Sequence, residues 1–327
     1  MTRISVVIPS FGDAETIGDT LASLRDQDRA ADEIIVVDDG SPAPLAGLVG
    51  EAAPTAQVIR HEENRGVQAA RNTGFAAASG DYLLFLDADD TLCPEFLDVT
   101  AGLLDAQGET AAAFCDFYRV IKGEGAEVRA RHTARRPPTV RALPRGAGFE
   151  HYLDGTGGFL PSFTLFRRTA LEALCSENDL FFSQLPLKAN EDFHLFCRFL
   201  ARWDAVFIAD PMGLYYMRDG SASKNQTRMW SDRVRALDSL LSLGDDAGFS
   251  PEQRAKLATI RDGAARRYAR LLHDAGQTQK AQEVLHANLA QHRNAKTLAL
   301  MTILAGRERW RRWTGKPAPS STRSDGA

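Results

Sequence analysis

The chain has 327 residues, a formal net charge of −4, 44% hydrophobic and 25% charged residues. That length supplies a buried core without disulfides or metals to hold it, and the composition excludes a disordered or fibrous chain. The mild acidity does not fit a nucleic-acid partner. Cys93, Cys115, Cys175 and Cys197 are far apart, form no CxxC or Cys/His cluster, and read as buried thiols of a reducing, cytoplasmic protein. No signal-peptide core forms before Pro9, and no apolar run approaches the ~20 residues that span a bilayer.

Ile4 to Ile8 is a β-branched run ending at Pro9. Ile17, Leu21 and Leu24 then recur at helical spacing, Ile34 to Val37 is a second apolar run, and Val58 and Ile59 mark a short third. Val67 to Ala78 reads as an Ala-rich helix and Tyr82 to Leu86 as a continuous strand. Continuous apolar strands separated by helices predict an α/β fold, a mostly parallel sheet flanked by helices on both faces. Ligands of such sheets gather at the carboxyl ends of the strands.

From Lys122 to Gly148 the pattern gives way to Gly, Pro and Arg, including Arg129, Arg131, Arg135, Arg136, Arg141 and Arg145, and predicts a mobile basic loop. Periodicity returns at Phe159 to Phe166 and as a helix over Phe193 to Phe199. Beyond Trp230, Leu257, Ile260, Ala264, Tyr268 and Leu271 mark one helix, and Ala281, Leu285 and Leu289 another, predicting a C-terminal helical appendage. Leu298 to Leu304 is a further apolar helix, and Pro317 to Ala327 reads as a disordered tail.

Two strands end in carboxylates. Val36-Val37 runs into Asp38-Asp39-Gly40-Ser41, where an Asp either caps the turn or faces a ligand. Tyr82 to Leu86 runs into Asp87-Ala88-Asp89-Asp90; an extended backbone there puts Asp87 and Asp89 on one side. Three close carboxylates after a buried strand form a solvated acidic turn or hold a cation. The hard divalent ions Mg²⁺ and Mn²⁺ suit such oxygens and share their coordination with substrate phosphates. Between the strands, Arg71 in Asn64 to Gly74 either reaches an anionic ligand or is solvated, and the same holds for Arg65.

Taken together, Ser5 to Phe11, Val36 to Ser41, Asn64 to Gly74 and Gly80 to Asp90 resemble, in order and spacing, the nucleotide-sugar-binding half of family 2 glycosyltransferases with the GT-A fold. The resemblance implies a nucleoside-diphosphate-sugar donor, usually UDP-linked, a divalent cation (Mn²⁺ or Mg²⁺), and inversion at the anomeric carbon. It implies that Pro9, Phe11 and Glu15 line the nucleoside pocket, that Asp39 accepts a hydrogen bond from the base, and that Arg71 lies near base or diphosphate. Asp89 becomes the metal ligand, with Asp87, the other outer carboxylate of the DxD motif, near the ribose.

Asn190-Glu191-Asp192 opens an amphipathic helix, where two acids also suit the macrodipole. The resemblance, which places an acidic pair about a hundred residues after DxD, makes Asp192 the general base and lets Glu191 orient the acceptor or a neighbouring loop. An acceptor hydroxyl needs such a base because it is a poor nucleophile at neutral pH. His194 reads as packing. Tyr215 to Ser223 resembles loosely the segment that closes over the diphosphate in those enzymes, which implies that role for Arg218 and Ser221 or else an ordinary surface turn; the stretch matching Gly157 to Phe166 borders their acceptor pocket, where Gly-Gly equally permits a turn.

The resulting division is a transferase domain over 1–228, with donor half 1–115 and acceptor half 116–228, then helices over 229–316 and a tail over 317–327. The resemblance implies a saccharide or lipid-linked acceptor, in cell-surface polysaccharide or glycoconjugate biosynthesis. Trp310 and Trp313, interleaved with Arg307, Arg309, Arg311, Arg312 and Lys316, either contact a membrane peripherally or form a solvated helix end. The alternatives are a sugar-1-phosphate nucleotidyltransferase, whose glycine-rich loop is missing at Pro9-Ser10-Phe11-Gly12, and a non-catalytic sugar-nucleotide-binding scaffold.

Overall fold

The computed structural model describes residues 2–121, 139–154, 159–175, 180–181, 185–217, 225–244, 247–291 and 294–314, with backbone alone at 121, 291 and 310–314. Among the described residues nine strands form one sheet in the order β3-β2-β1-β4-β8-β6-β9-β5, with β7 on β9. The first four are β1 (Ile4–Ser10), β2 (Glu33–Asp38), β3 (Gln57–Arg60) and β4 (Tyr82–Phe85). They pair in parallel, β1 lying between β2 and β4. Beyond β4 the pairing changes. β8 (Thr164–Arg167) runs antiparallel to β4 and to β6 (Thr110–Ile121), and β6 is parallel to β9 (Asp204–Met217). The two-residue β5 (Thr91–Leu92) and β7 (Val140–Leu143) are antiparallel to β9.

The apolar runs are continuous because both sheet faces are covered. Successive strand residues alternate sides. Val7, Ile35, Val37, Leu83 and Phe85 enter one core, and Ile4, Val6, Ile8, Val36 and Leu84 the other. Helices α1 (Ile17–Arg25), α2 (Ala46–Ala52) and α4 (Phe96–Ala106) cover the second face. The first face takes α3 (Val67–Ala77), α5 (Ala147–Leu153), α6 (Arg168–Leu174), α7 (Glu191–Leu200), α8 (Gln226–Ser242) and the start of α9 (Pro251–Asp274). Leu237, Leu240 and Leu257 thus share one core with sheet residues such as Val7, Phe85 and Phe166. The end of α9 packs with α10 (Thr278–Gln291) and α11 (Ala295–Thr314) around a separate cluster of Ala269, Leu272, Ala281, Leu285, Leu300 and Leu304.

The expected loop over 122–148 is corrected at its end. Residues 122–138, with four of its arginines, lie outside the described residues, but 140–143 form β7 and 147–148 begin α5. β7 escaped notice because only Leu143 of its four residues is buried. No disulfide joins the four cysteines; Cys93, Cys115 and Cys197 are buried and Cys175 is half-buried. Among the described residues no helix is long and apolar enough to cross a membrane.

Candidate active site

The parallel register brings the motif loops to one sheet edge. Ser10 at the end of β1 is level with Asp38 of β2, and Val7 with Phe85 of β4, so the segments 10–16, 38–41 and 87–90 adjoin. The backbone amide of Asp39 donates to the Ser10 carbonyl at 2.8 Å, and that of Gly12 to Ser41 Oγ at 3.0 Å. Pro9 is buried there, whereas Phe11 is 49% exposed at the rim beside the exposed Glu15.

The two strand-end aspartates divide the roles left open by the sequence. Asp38 is the turn carboxylate. It accepts from the backbone amides of Ser41 and Leu45 and pairs with Arg60; burial would raise its pKa, and these hydrogen bonds hold it below the ordinary value. Asp39 faces the other way. Its Oδ1 lies 2.6 Å from His61 Nδ1 and accepts the Arg65 amide at 3.0 Å, while Oδ2 accepts the Gly66 amide at 2.7 Å. A carboxylate offers about four lone-pair directions, so Oδ2 retains capacity for one more donor. His61 Nε2 in turn meets Thr73 Oγ1 at 2.9 Å, tying Asp39 to α3. Glycine is required at the turn: Gly40 has φ +73°, and a Cβ there would lie 2.6 Å from the backbone of Glu63.

On α3 one face, Gln68, Arg71 and Asn72, holds the second half of the chain. Gln68 donates to the Phe181 carbonyl at 2.5 Å and accepts the Leu187 amide at 2.8 Å, and Asn72 accepts the Phe181 amide at 3.0 Å. Arg71 stands between the two acidic motifs. Its Nη2 donates to Asp87 at 2.8 Å and its Nη1 to Glu191 at 2.9 Å, with the guanidinium 5.4 Å from the Phe181 ring centre and only 2% exposed. Burial would lower its pKa, but Asp87, Glu191 and Asp192 outweigh that and keep it charged.

Asp192 follows Glu191 in the first turn of α7. Asn190, the only non-glycine described residue at positive φ (68°), sets the helix start, and its amide donates to the Met229 carbonyl at 3.0 Å. Asparagine tolerates this left-handed conformation at little cost. Burial and the adjacent Asp192 push Glu191 up to about 7 despite Arg71. Burial also raises Asp192, against its own hydrogen bond from the Phe193 amide and the charges of Arg71 and Arg233. Arg233 of α8 sits 3.6 Å above the Phe193 ring, and its Nη1 is buried without a hydrogen-bond partner. His194 is buried, 3.1 Å from Ser239, and burial lowers it to about 3, as a packing residue.

In the 87–90 turn, the Asp87 amide donates to Ser162 Oγ at 3.1 Å, from the short 3-10 turn Pro161–Phe163. Asp89 is half-buried. Asp90 is 1% exposed, and neither of its carboxylate oxygens has a hydrogen-bond partner. Burial, then the charges of Asp87 and Asp89, raise it well above the carboxylate range. Among the described residues no three His, Cys, Asp or Glu side chains converge on one point as a finished metal cage. The donors nevertheless fit a hard divalent cation that completes its shell with phosphate oxygens: they are all carboxylates, crowded, and one is buried without compensation.

Of the expected site residues, Asp87, Arg71, Glu191 and Asp192 come together as one charge network, Pro9 lies near the end of β1, and Phe11, Glu15 and Asp39 lie on the neighbouring loops. Arg218 and Ser221 lie outside the described residues, as do Gly157 and Gly158. Sequence reasoning missed His61, Gln68, Asn72 and Arg233. Gln68 and Asn72 had a signal, since they share the helical face of Arg71; His61 and Arg233 had none.

Known proteins resemble the chain in sequence and in fold. The Succinoglycan biosynthesis protein ExoO of Rhizobium meliloti (strain 1021) is 28% identical over 234 residues, 68% of this chain and 62% of its own length. The chain therefore spans less than two thirds of that relative. S. aureus TarS 1-349, solved with UDP-GlcNAc, superposes with a TM-score of 0.60 at 17% identity, covering 94% of this chain and 92% of TarS 1-349. Mannosyltransferase PcManGT from Pyrobaculum calidifontis, solved with GDP-Man and Mn2+, gives 0.56 at 19% identity, covering 96% and 84%. These likenesses show the shared GT-A fold. The sequence profile of glycosyl transferase family 2 matches residues 5–175, more than half of the 327. The chain is a member of glycosyl transferase family 2.

Proposed function

We propose that this chain transfers a sugar from a nucleoside-diphosphate sugar, UDP-linked, to an acceptor hydroxyl, with inversion at the anomeric carbon. The observation that carries the reading is the Arg71 bridge, which joins the carboxylate edge at Asp87 to the acidic helix start at Glu191. Donor-side charge and candidate base therefore sit in one buried network. The fold shared with TarS and PcManGT supports a nucleotide-sugar donor, and the likeness to ExoO supports a place in cell-surface polysaccharide assembly.

In this reading Asp39 takes a hydrogen bond from the base with the capacity left on Oδ2, Pro9, Phe11 and Glu15 border the nucleoside, and Arg218 and Ser221 cover the diphosphate. Asp89, with Asp87 and the uncompensated Asp90, holds Mn²⁺ or Mg²⁺. Bound there, the cation would offset negative charge on the departing diphosphate. Asp192 accepts the acceptor proton as its oxygen bonds to C1 and the C1–phosphate oxygen bond breaks, the pair of electrons leaving with the diphosphate. Its raised pKa makes it a stronger base. Glu191 and Arg71 hold the helix start in place, and Arg233 borders Asp192 on the acceptor side.

Calorimetric titration with UDP, GDP and CDP, in MnCl₂ or in EDTA, tests the donor site. One diphosphate should bind in Mn²⁺, at least about tenfold more weakly in EDTA or in Asp89→Asn. Absence of binding by all three, or binding indifferent to metal, would overturn the assignment.

A further inference from the structure

The C-terminal helix α11 has two unlike faces. Thr297, Leu300 and Leu304 are buried, the two leucines in the cluster with α9 and α10. The opposite face, Ala295, Leu298, Ala299, Thr302, Ile303 and Gly306, is exposed, with Leu298 at 56% and Ile303 at 52%. A Cβ added at Gly306 would meet nothing within 4 Å. These positions follow the i, i+3, i+4, i+7 rule, so they form one stripe along the helix. Positions 310 and 313, both Trp, continue the same spacing from Gly306. No ionisable side chain interrupts the described stripe.

The C-terminal helices carry a net positive charge. Over residues 251–316 fourteen Lys and Arg stand against five Asp and Glu, a formal +9 in a chain whose total is −4. Lys296 and Arg309 are exposed on α11 itself, and Arg267 and Arg270 on α9. An uncharged stripe flanked by cations on a helix too polar to span a bilayer is the pattern of a helix lying in the headgroup layer. Pairing two copies through this face would instead bring two regions of +9 together, against their mutual repulsion.

We infer that the exposed stripe of α11 over residues 295–306 docks on the surface of an anionic phospholipid bilayer, Leu298 and Ile303 entering the interface and Lys296 and Arg309 of the same helix contacting the headgroups. The inference stands independently of the transferase reading.

Sedimentation of the full chain with phosphatidylcholine vesicles, and with vesicles that also contain phosphatidylglycerol, tests it. The protein should pellet with the anionic vesicles, less so as salt rises, and remain in solution with the neutral ones. Leu298→Glu/Ile303→Glu should weaken the anionic binding at least about tenfold, with circular dichroism and thermal midpoint unchanged because both positions are exposed. Arg309→Glu, a milder change, should weaken it about fivefold or more. The inference fails if the wild type ignores anionic vesicles or if these variants bind as well as it does. It fails equally if the wild type is a dimer that Leu298→Glu/Ile303→Glu converts to a monomer, which would assign the stripe to a second copy.

Discussion

Replacing Arg71 with Met keeps much of the side-chain volume and removes the charge that joins the two acidic motifs. Two charge-assisted hydrogen bonds are lost, at 2.8 Å to Asp87 and 2.9 Å to Glu191. Asp87 is 36% exposed and recovers through water, but Glu191 is 12% exposed and beside Asp192, and it is left without its counter-ion. Breaking a buried pair in this way costs about 3 to 5 kcal/mol. With an unfolding entropy of about 2.1 cal/mol/K per residue, a loss of about 4 kcal/mol lowers the thermal midpoint of this chain by about 6 °C.

The cost depends on pH with a definite sign. Glu191 is raised from 4.5 to about 7, so its contribution to stability is full below 4.5 and is lost as pH rises through 7. Removing Arg71, which opposes that rise, widens the loss. Arg71→Met should therefore be most destabilising near pH 8 and recover by about 1 kcal/mol near pH 5.5, where Glu191 is protonated in wild type and variant alike. Urea unfolding followed by tryptophan fluorescence at the two pH values reads both quantities, and Arg71→Met/Glu191→Gln should recover most of the loss at pH 8. A cost under about 1 kcal/mol, or one equal at both pH values, would refute the buried-network account.

Three further outcomes follow from other parts of the site. Asp192→Asn should lower the transfer rate by about 10² to 10⁴ while leaving nucleoside-diphosphate affinity unchanged in calorimetry, because it removes a base outside the donor pocket. Glu191→Gln should flatten the wild-type decline of thermal stability between pH 5 and pH 8, removing a contribution of at most about 3 kcal/mol; an unaltered profile counts against the raised Glu191. Gly74→Ala would put a Cβ 2.2 Å from Val7 Cγ1, between α3 and β1, and should cost about 1 to 3 kcal/mol in urea unfolding, with Val7→Ala restoring part of it.

The first half of the molecule was legible because its strands are buried on both faces and their apolar runs are uninterrupted. Ile4 to Ile8, Ile34 to Val37 and Tyr82 to Leu86 each lie on a strand of the parallel group, and each delivers polar residues to the same edge. The second half hid its strands. β6 opens with Thr110 and three alanines, and β9 breaks its alternation with Pro211 and Gly213, so neither carries a clear period. Gly213 has its own reason: a Cβ there would lie 2.1 Å from the Phe163 ring. Within the site, Asp87 and Asp192 were visible through local motifs. The Arg71 bridge between them was not, since it spans 120 residues to Glu191 and depends on how the two halves dock. Asp38 and Asp39 look interchangeable in sequence and differ only in which side of the turn each faces.

The central claim is that the carboxylate edge and the Asp192 helix form one sugar-transfer site, and turnover tests it most directly. Purified protein is incubated with a panel of UDP-, GDP- and dTDP-sugars and saccharide or lipid-linked acceptors, in MnCl₂ or EDTA, and released nucleoside diphosphate and glycosylated product are followed together. The account predicts diphosphate release matched by product of inverted anomeric configuration, abolished by EDTA and by Asp192→Asn. Release of pyrophosphate from a nucleoside triphosphate and a sugar 1-phosphate, with no diphosphate from any donor, would contradict it.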